Sequence, residues 1–351
     1  MNRARFVAAL IAAVGVTITV TGAGSALWLY RHEPVPRREH VVTLPQASSA
    51  PSPQAAIGNP GPMHYLGVFE HDTSRTYRPP TLFTSVAGRK PNLTVYYSSW
   101  DMPFRARFAT AAARAGAVVL VHMEPWHQSM AAIAAGDSDR YLRRFAAAVR
   151  HYGSHVIISF APEADGRWYP WGWHHANPAQ WVAAWRHVVE VFRRSGATNV
   201  TWLWVVSGDS RATGHVRNWW PGPRYVNWIG VDGYYFRPAD TFRTVIGKTV
   251  RNIRKFTRKP VLVSEVGVGP RAGQAAKIPG LFAGIRHDHL LGLIYFDVNQ
   301  HQGPFHQDWR LDDHPAAVAA FRAGVRSSGL SAAIKRRDAN VRGGSAQPGG
   351  Q

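Results

Sequence analysis

Two glutamates stand where apolar, strand-like stretches of the chain end. Glu163 follows the stretch 157–160, and Glu265 follows the stretch 260–263, in a chain that has only seven glutamates. A pair of carboxyl groups held about 5–5.5 Å apart can cleave a glycosidic bond with retention, one as acid/base and one as nucleophile. We therefore expect Glu163 and Glu265 to form one catalytic pair.

Aromatic side chains accompany these carboxylates, which is the combination that sugar binding requires. Flat rings stack on the C–H faces of sugars, while carboxylates bind hydroxyl groups and transfer protons. Packing in the core explains Trp126 and Trp309 equally well. The candidate substrate-binding residues are Trp126, Trp168, Trp171, Tyr234, Trp309 and the carboxylate Glu124.

Eight short β-rich stretches predict the strands that position these groups. Helix-like segments lie between most of them, and alternating strands and helices predict parallel pairing. Eight such units favour a (β/α)8 barrel. An open doubly wound sheet is the alternative, although no glycine-rich phosphate-binding motif follows the first strand. The stretches are Tyr65–Phe69, Leu93–Tyr97, Ala117–His122, His155–Phe160, Val200–Val206, Trp228–Tyr234, Pro260–Val263 and Leu291–Phe296.

The barrel prediction brings the two glutamates together. Functional side chains of such barrels collect at the carboxyl ends of the strands. Glu163 would end the fourth strand and Glu265 the seventh, so the two face each other across the barrel mouth. Asp232 and Tyr234 would lie near the end of the sixth strand, and Glu124 after the third.

Five segments of this chain resemble glycoside hydrolase family 26, a family of retaining (β/α)8 endo-glycanases that includes the β-mannanases. The resemblance covers most of residues 63–325. It implies Glu163 as acid/base, Glu265 as nucleophile and Trp168 as a stacking wall. It also implies that Tyr234, or less favourably Tyr235, orients the nucleophile. The segments are PEADGRWYPWG, NPAQWVAAWRHVVEVFRRSGATNVTWLWV, YVNWIGVDGYY, KPVLVSEVGV and IYFDVNQHQGPFHQDWRLD.

The sequence departs from that family beside the acid/base position. The family usually has His directly before the glutamate and Asn-Gly shortly after it, where this chain has Pro162 and Asp165-Gly166. A group that binds sugar and tunes the pKa is therefore absent, and a histidine from another loop could replace it. The candidates are His122, His127, His174, His175 and His301.

Composition limits the other functional classes. The chain has 351 residues, no cysteine and a formal charge of +20, so thiolate chemistry is excluded. The surplus of positive charge favours anionic surfaces such as phosphate-bearing wall polymers, acidic glycans or lipid headgroups. Its scattered distribution argues against nucleic acid. His287, His289, His301 and His306 do not form a convergent ligand set, so we expect no metal and no cofactor.

Both ends of the chain differ from the part between them. Residues 6–30 are uncharged and follow two arginines, which predicts a membrane anchor or, alternatively, a cleaved signal peptide. Residues 31–62 predict an extended linker, 63–330 the barrel domain, and 331–351 a disordered basic tail. We expect an extracytoplasmic monomer that is anchored or secreted and acts on a polysaccharide such as a cell-envelope glycan.

Overall fold

A computed structural model describes residues 61–70, 77–208, 215–299 and 307–328. The predicted anchor at 1–30, nearly all of the predicted linker and the predicted basic tail at 331–351 lie outside these residues. None of the helices within the described residues has the length and the apolar character needed to cross a bilayer.

Within the described residues, eight parallel strands close into a barrel in the order of the chain. This confirms the predicted (β/α)8 fold and excludes the open doubly wound sheet, because the first strand pairs with the last. The strands are β1 Tyr65–Phe69, β2 Leu93–Ser99, β3 Val118–Glu124, β4 Val156–Phe160, β5 Val200–Ser207, β6 Trp228–Tyr235, β7 Val261–Val268 and β8 Gly292–Phe296.

The barrel closes at a glycine. Gly292 begins β8 opposite Tyr65 of β1, with a φ of 140° that L side chains rarely adopt. A Cβ at this position would overlap the carbonyl oxygen of Tyr65. Only glycine therefore lets the last strand approach the first closely enough to pair.

The described helices cover the outside of the barrel. The longest, Pro178–Arg194, begins with Asn177 as its cap, whose side chain accepts a hydrogen bond from the amide of Ala179. Two short helices, Thr81–Ala87 and Met130–Ala135, were not predicted because six or seven residues give little periodic signal. The helices are α1 Thr81–Ala87, α2 Ala106–Arg114, α3 Met130–Ala135, α4 Asp139–Tyr152, α5 Pro178–Arg194, α6 Lys248–Ile253, α7 Gln274–His287 and α8 Pro315–Ser328.

Strand β7 is longer than predicted, so Glu265 lies inside the strand and does not follow it. The polar pair Ser264 and Glu265 suggested that the strand had ended, but its residues are buried through Val268. The pairing register of β7 shifts against β6 and, between Val263 and Val266, against β8. Such irregularities re-aim side chains.

Candidate active site

Glu265 is a buried carboxylate held by two tyrosines. Its side chain is 1% exposed. The hydroxyl of Tyr234 on β6 donates to Oε2 at 2.6 Å, and the hydroxyl of Tyr97 on β2 donates to Oε1. Burial raises the pKa of Glu265 to about 7, although the two hydrogen bonds stabilise the ionised form and act in the opposite direction. Two donors fix the orientation of both oxygens.

Glu163 follows β4 in an unusual backbone conformation. Ala161 and Glu163 have φ values of 44° and 52°, in the left-handed region that costs non-glycine residues energy. The amide of Glu163 donates to the carbonyl of Val205 at 3.0 Å, and the indole Nε1 of Trp168 donates to its Oε2 at 2.9 Å. Neighbouring strand and loop atoms thus hold a strained turn that carries the carboxylate.

Asp232 links the surroundings of the two glutamates. It lies opposite Glu265 in the register of β6 and β7. Burial, followed by the charges of Glu265 and then Glu163, raises the pKa of Asp232 well above its ordinary value. Burial, followed by the charges of Glu124, Glu163 and Glu265, raises the pKa of Tyr169. Glu163 and Glu265 therefore act on a shared, buried environment at the barrel mouth.

Two further carboxyl groups at the mouth are also buried. Glu124, the last residue of β3, accepts a hydrogen bond from the indole of Trp126 at 3.1 Å. Burial raises the pKa of Glu124 to about 8, and the charge of Glu265 adds to the effect. Asp165 accepts from the amide of Ser207 at 3.1 Å, and burial raises its pKa to about 7.

The predicted sugar-binding tryptophans differ in their exposure. Trp168 and Trp126 are half-buried. Trp171 is 1% exposed, and its indole donates to the carbonyl of Pro162 at 2.8 Å while its ring stacks on Tyr169 at 4.4 Å. Neighbouring protein groups thus cover the ring of Trp171. It is a packing residue and has no free ring face for a sugar.

Trp309 is also fully buried. Its ring lies 5.1 Å from that of Tyr234 and 5.2 Å from that of Phe236. Trp309 therefore packs against the ring of Tyr234 and helps to fix its position. The neighbouring Tyr235 is buried as well, but Tyr234 is the tyrosine of this pair that reaches Glu265.

Among the candidate replacements for the missing histidine, His122 lies at the barrel mouth. Its ring stacks on Tyr97 with centroids 5.0 Å apart. Burial lowers the pKa of His122 to about 3, and neither ring nitrogen has a hydrogen-bond partner among the described residues. His127, His174 and His175 are exposed, and His301 lies outside the described residues.

Sequence reasoning missed Tyr97 as a member of the site. The signal was present, because Tyr97 closes the predicted second strand and alternates with Tyr96, which packs outward against Phe108. His71, Asp72 and Asp209, which follow other strands, lie outside the described residues. In the described part of the chain, no cluster of three or more His, Asp or Glu side chains is suited to a metal ion.

One family model matches the segment of the chain that contains four of the candidate site residues. The family model described as "Glycosyl hydrolase family 26" matches residues 140–270, which contain Glu163, Trp168, Tyr234 and Glu265. Residues 140–270, a little over a third of the chain, are thus similar to glycosyl hydrolase family 26. Both strands that carry the two glutamates fall inside the matched segment.

Two curated relatives match parts of this chain. Endoglucanase H of Acetivibrio thermocellus is 27% identical over 260 residues, which are 69% of this chain and 28% of that protein. The β-1,3-xylanase TXYA of a Vibrio species is 31% identical over 112 residues, which are 31% of this chain and 23% of that protein. The chain thus spans about a quarter of the length of these relatives.

Solved structures of family 26 share the fold. The catalytic domain of an endo-β-1,4-mannanase from a Bacillus species matches with a TM-score of 0.60 and 12% identity, over 76% of this chain and 86% of that one. A modular endo-β-1,4-mannanase from Cellulomonas fimi matches with a TM-score of 0.60 and 18% identity, over 75% of this chain and 70% of that one. At these identities the likeness concerns the barrel alone.

Proposed function

We propose that this chain is a retaining endo-β-glycosidase that hydrolyses a β-linked polysaccharide. One observation carries the proposal: two buried glutamates from β4 and β7 share an environment at the barrel mouth, and tyrosines on two further strands hold one of them. A carboxylate with two hydroxyl donors is oriented for attack, and a carboxyl beside an open cavity is placed to transfer a proton.

In the first step, an oxygen of Glu265 attacks the anomeric carbon of the bound sugar. The bond from that carbon to the glycosidic oxygen breaks, and Glu163 gives its proton to the departing oxygen. A covalent glycosyl ester on Glu265 results. Tyr97 and Tyr234 orient the attacking carboxylate, and Trp168 orients the carboxyl of Glu163 through its indole N–H.

In the second step, water replaces the departed sugar. Glu163, now ionised, accepts a proton from the water while the water oxygen attacks the anomeric carbon. The ester bond to Glu265 breaks, and both glutamates return to their starting protonation states. Two inversions at the same carbon leave the product with the configuration of the substrate.

The relatives narrow the class of substrate. Their names describe an endoglucanase, β-1,3-xylanases and endo-β-1,4-mannanases, all of which act on β-linked glycans. We therefore assign this chain a β-linked polysaccharide of the mannan, glucan or xylan type. The replacement of the family histidine by Pro162 is a reason to test all three.

The cellular location is a proposal from the sequence. The uncharged stretch 6–30 after Arg3 and Arg5 supports an extracytoplasmic enzyme that is membrane-anchored or secreted. Fractionation of producing cells tests the location. Finding the chain in the cytoplasm would contradict it.

Labelling the nucleophile tests the proposed chemistry directly. The full chain is incubated with β-mannan, β-glucan and β-1,3-xylan, and then with a fluorinated glycoside of the sugar that is released. We expect a covalent sugar on Glu265, located by peptide mass spectrometry, and products of retained configuration. Glu190→Gln, at a half-buried position on α5 that pairs with Arg193, is the control and should label normally.

A second variant separates catalysis from binding. Glu163→Gln should lower hydrolysis of the polysaccharide by about 10²–10⁴-fold, and should affect an aryl glycoside with a good leaving group far less. Of the alternatives, a non-catalytic glycan-binding protein would not label on Glu265, whereas a transglycosylating protein would label but pass the glycosyl group to another sugar in place of water. If the wild-type chain binds a glycan but neither labels on Glu265 nor releases sugar, the hydrolase proposal is wrong.

A further inference from the structure

A cavity of about 550 Å³ opens beside Glu163 and Trp168. One side of it consists of the loop that follows β6, a π-helical turn at Arg243–Gly247 and helix α6. Four basic side chains line this side. They are Arg237, Arg243, Lys248 and Arg251.

Three of these cations carry charge that the described residues do not neutralise. Arg237, Arg243 and Arg251 are exposed, and no salt bridge joins them to a carboxylate of the described residues. Some arginines of the described residues do pair with carboxylates, as in the bridge between Arg310 and Asp308 at 2.8 Å. What distinguishes Arg237, Arg243 and Arg251 is that they line one cavity together.

The acidic residues of the cavity are engaged by other groups. Asp240 accepts hydrogen bonds from the amides of Phe236 and Arg237 at 2.8 and 2.9 Å. Asp232 accepts a hydrogen bond from the hydroxyl of Ser264. The arginine side chains thus remain available to a ligand, and a guanidinium group binds a carboxylate or a phosphate through two parallel hydrogen bonds.

The basic lining continues beyond this cavity. A second cavity of about 760 Å³ shares Ser207 and Lys248 with the first and adds Arg217 and Lys255. A polymer that leaves the first cavity on this side would therefore meet further cations. The pattern fits an extended polyanion better than a single small anion.

The cavity lies beside one of the two catalytic glutamates. Of the two glutamates, Glu163 lines it, and Glu265 is not among the described residues that do. In the proposed mechanism, Glu163 transfers its proton to the leaving group. Sugars that adjoin the cleaved bond next to Glu163 would therefore lie in this cavity.

We propose that this region binds sugars that carry an anionic substituent, a carboxylate or a phosphate ester, so that the preferred substrate is an acidic β-glycan. The inference rests on the proposed function, because that function is what brings a glycan to Glu163 and into this cavity. Arg243 and Arg251 are the residues that distinguish an acidic glycan from a neutral one. Trp168 supplies the ring against which the adjoining sugar packs.

One polymer backbone with three substituents tests the proposal. A soluble β-1,4-glucan carrying hydroxyethyl, carboxymethyl or phosphate-ester groups is titrated into the full-length Glu163→Gln protein, and affinity is measured by calorimetry. We expect at least one anionic form to bind about tenfold more tightly than the neutral form. Adding Arg243→Gln and Arg251→Gln should remove this preference and leave neutral binding unchanged. The carboxymethyl and phosphate arms identify the preferred anion.

A charge-matched control separates the site from the overall charge of the chain. Arg114→Gln with Arg326→Gln changes two exposed arginines on α2 and α8 and should retain the preference. Equal loss in both double variants, or no preference at all, would overturn the proposal. Hydrolysis by the wild-type chain is measured on the same polymers. Anionic preference without hydrolysis would refute the proposed function and leave the anion site supported.

Discussion

Tyr97 on β2 donates a hydrogen bond to Oε1 of Glu265 on β7, two strands that are not neighbours in the barrel. The contact joins opposite parts of the barrel mouth through one buried carboxylate. A phenol that donates to a carboxylate stabilises the ionised form, so Tyr97 opposes the effect of burial on the pKa of Glu265.

Removing this hydroxyl should move the acid limb of the pH profile. Glu265 must be ionised to attack, so kcat/KM falls as the pH drops through its pKa, which is about 7. Tyr97→Phe removes a group that lowers that pKa. We therefore expect the acid limb to move to higher pH by roughly one unit, measured as kcat/KM against pH.

The neighbouring tyrosine provides the control for this prediction. Tyr96→Phe removes a hydroxyl that faces α2, where it accepts a hydrogen bond from the amide of Arg105 at 3.3 Å. Its pH profile should match that of the wild type. An unchanged profile for Tyr97→Phe would show that Tyr97 does not tune Glu265.

The indole of Trp168 should matter for turnover more than for affinity. Trp168→Phe keeps an aromatic ring but removes the hydrogen bond of 2.9 Å to Oε2 of Glu163. Because hydrogen bonds to charged groups contribute about 1.5–3 kcal/mol, we expect kcat to fall about tenfold or more with little change in KM. Steady-state kinetics on the best substrate check this. An effect on KM alone would instead indicate a purely stacking role.

Backbone strain at the end of β4 should appear in a pair of alanine variants. Ala161 has a φ of 44°, whereas Ala164, three residues later, is not in the left-handed region, and both are buried. Each change to glycine removes one buried methyl group, but only Ala161→Gly also relieves strain. We expect Ala161→Gly to be more stable than Ala164→Gly by about 1–2 kcal/mol, measured by denaturant unfolding. Equal stabilities would mean that the turn is unstrained.

Burial of Glu124 should make stability depend on pH. Its pKa is about 8 in the folded chain, so between its ordinary value and pH 8 the unfolded chain loses a proton that the folded chain retains. Stability should therefore fall as the pH rises from 5 to 8. Glu124→Gln should reduce this fall by an amount on the order of 1–3 kcal/mol, seen as thermal midpoints across the range. Glu190→Gln, on the outer helix α5 and far less buried than Glu124, should leave the slope unchanged.

Much of this architecture was predictable because it follows from periodicity. The predicted strands correspond to β1–β8 within a few residues, and Asn177-Pro178 marks the start of α5. Strand ends that carry carboxylates directed attention to Glu163 and Glu265, since parallel strands present those ends at one rim. Local sequence pattern was sufficient for these features.

Features that depend on contacts between distant segments were not predictable. Trp171 was expected to face a sugar, but its ring packs against the rings of Tyr169 and Trp126. Burial on this scale depends on how a loop folds back, which no local pattern encodes. The extension of β7 past Ser264 was missed for a related reason, because Asp232 on the adjacent strand satisfies that hydroxyl.

The pairing of β1 with β8 also affects how the chain is made. Tyr65 lies in register with Gly292, so a nascent chain leaving the ribosome exposes two bare sheet edges until its final strand emerges. Free edges recruit other strands. Synthesis that stalls before residue 292 would thus release an aggregation-prone intermediate, and chaperone capture should be most extensive at that stage of translation.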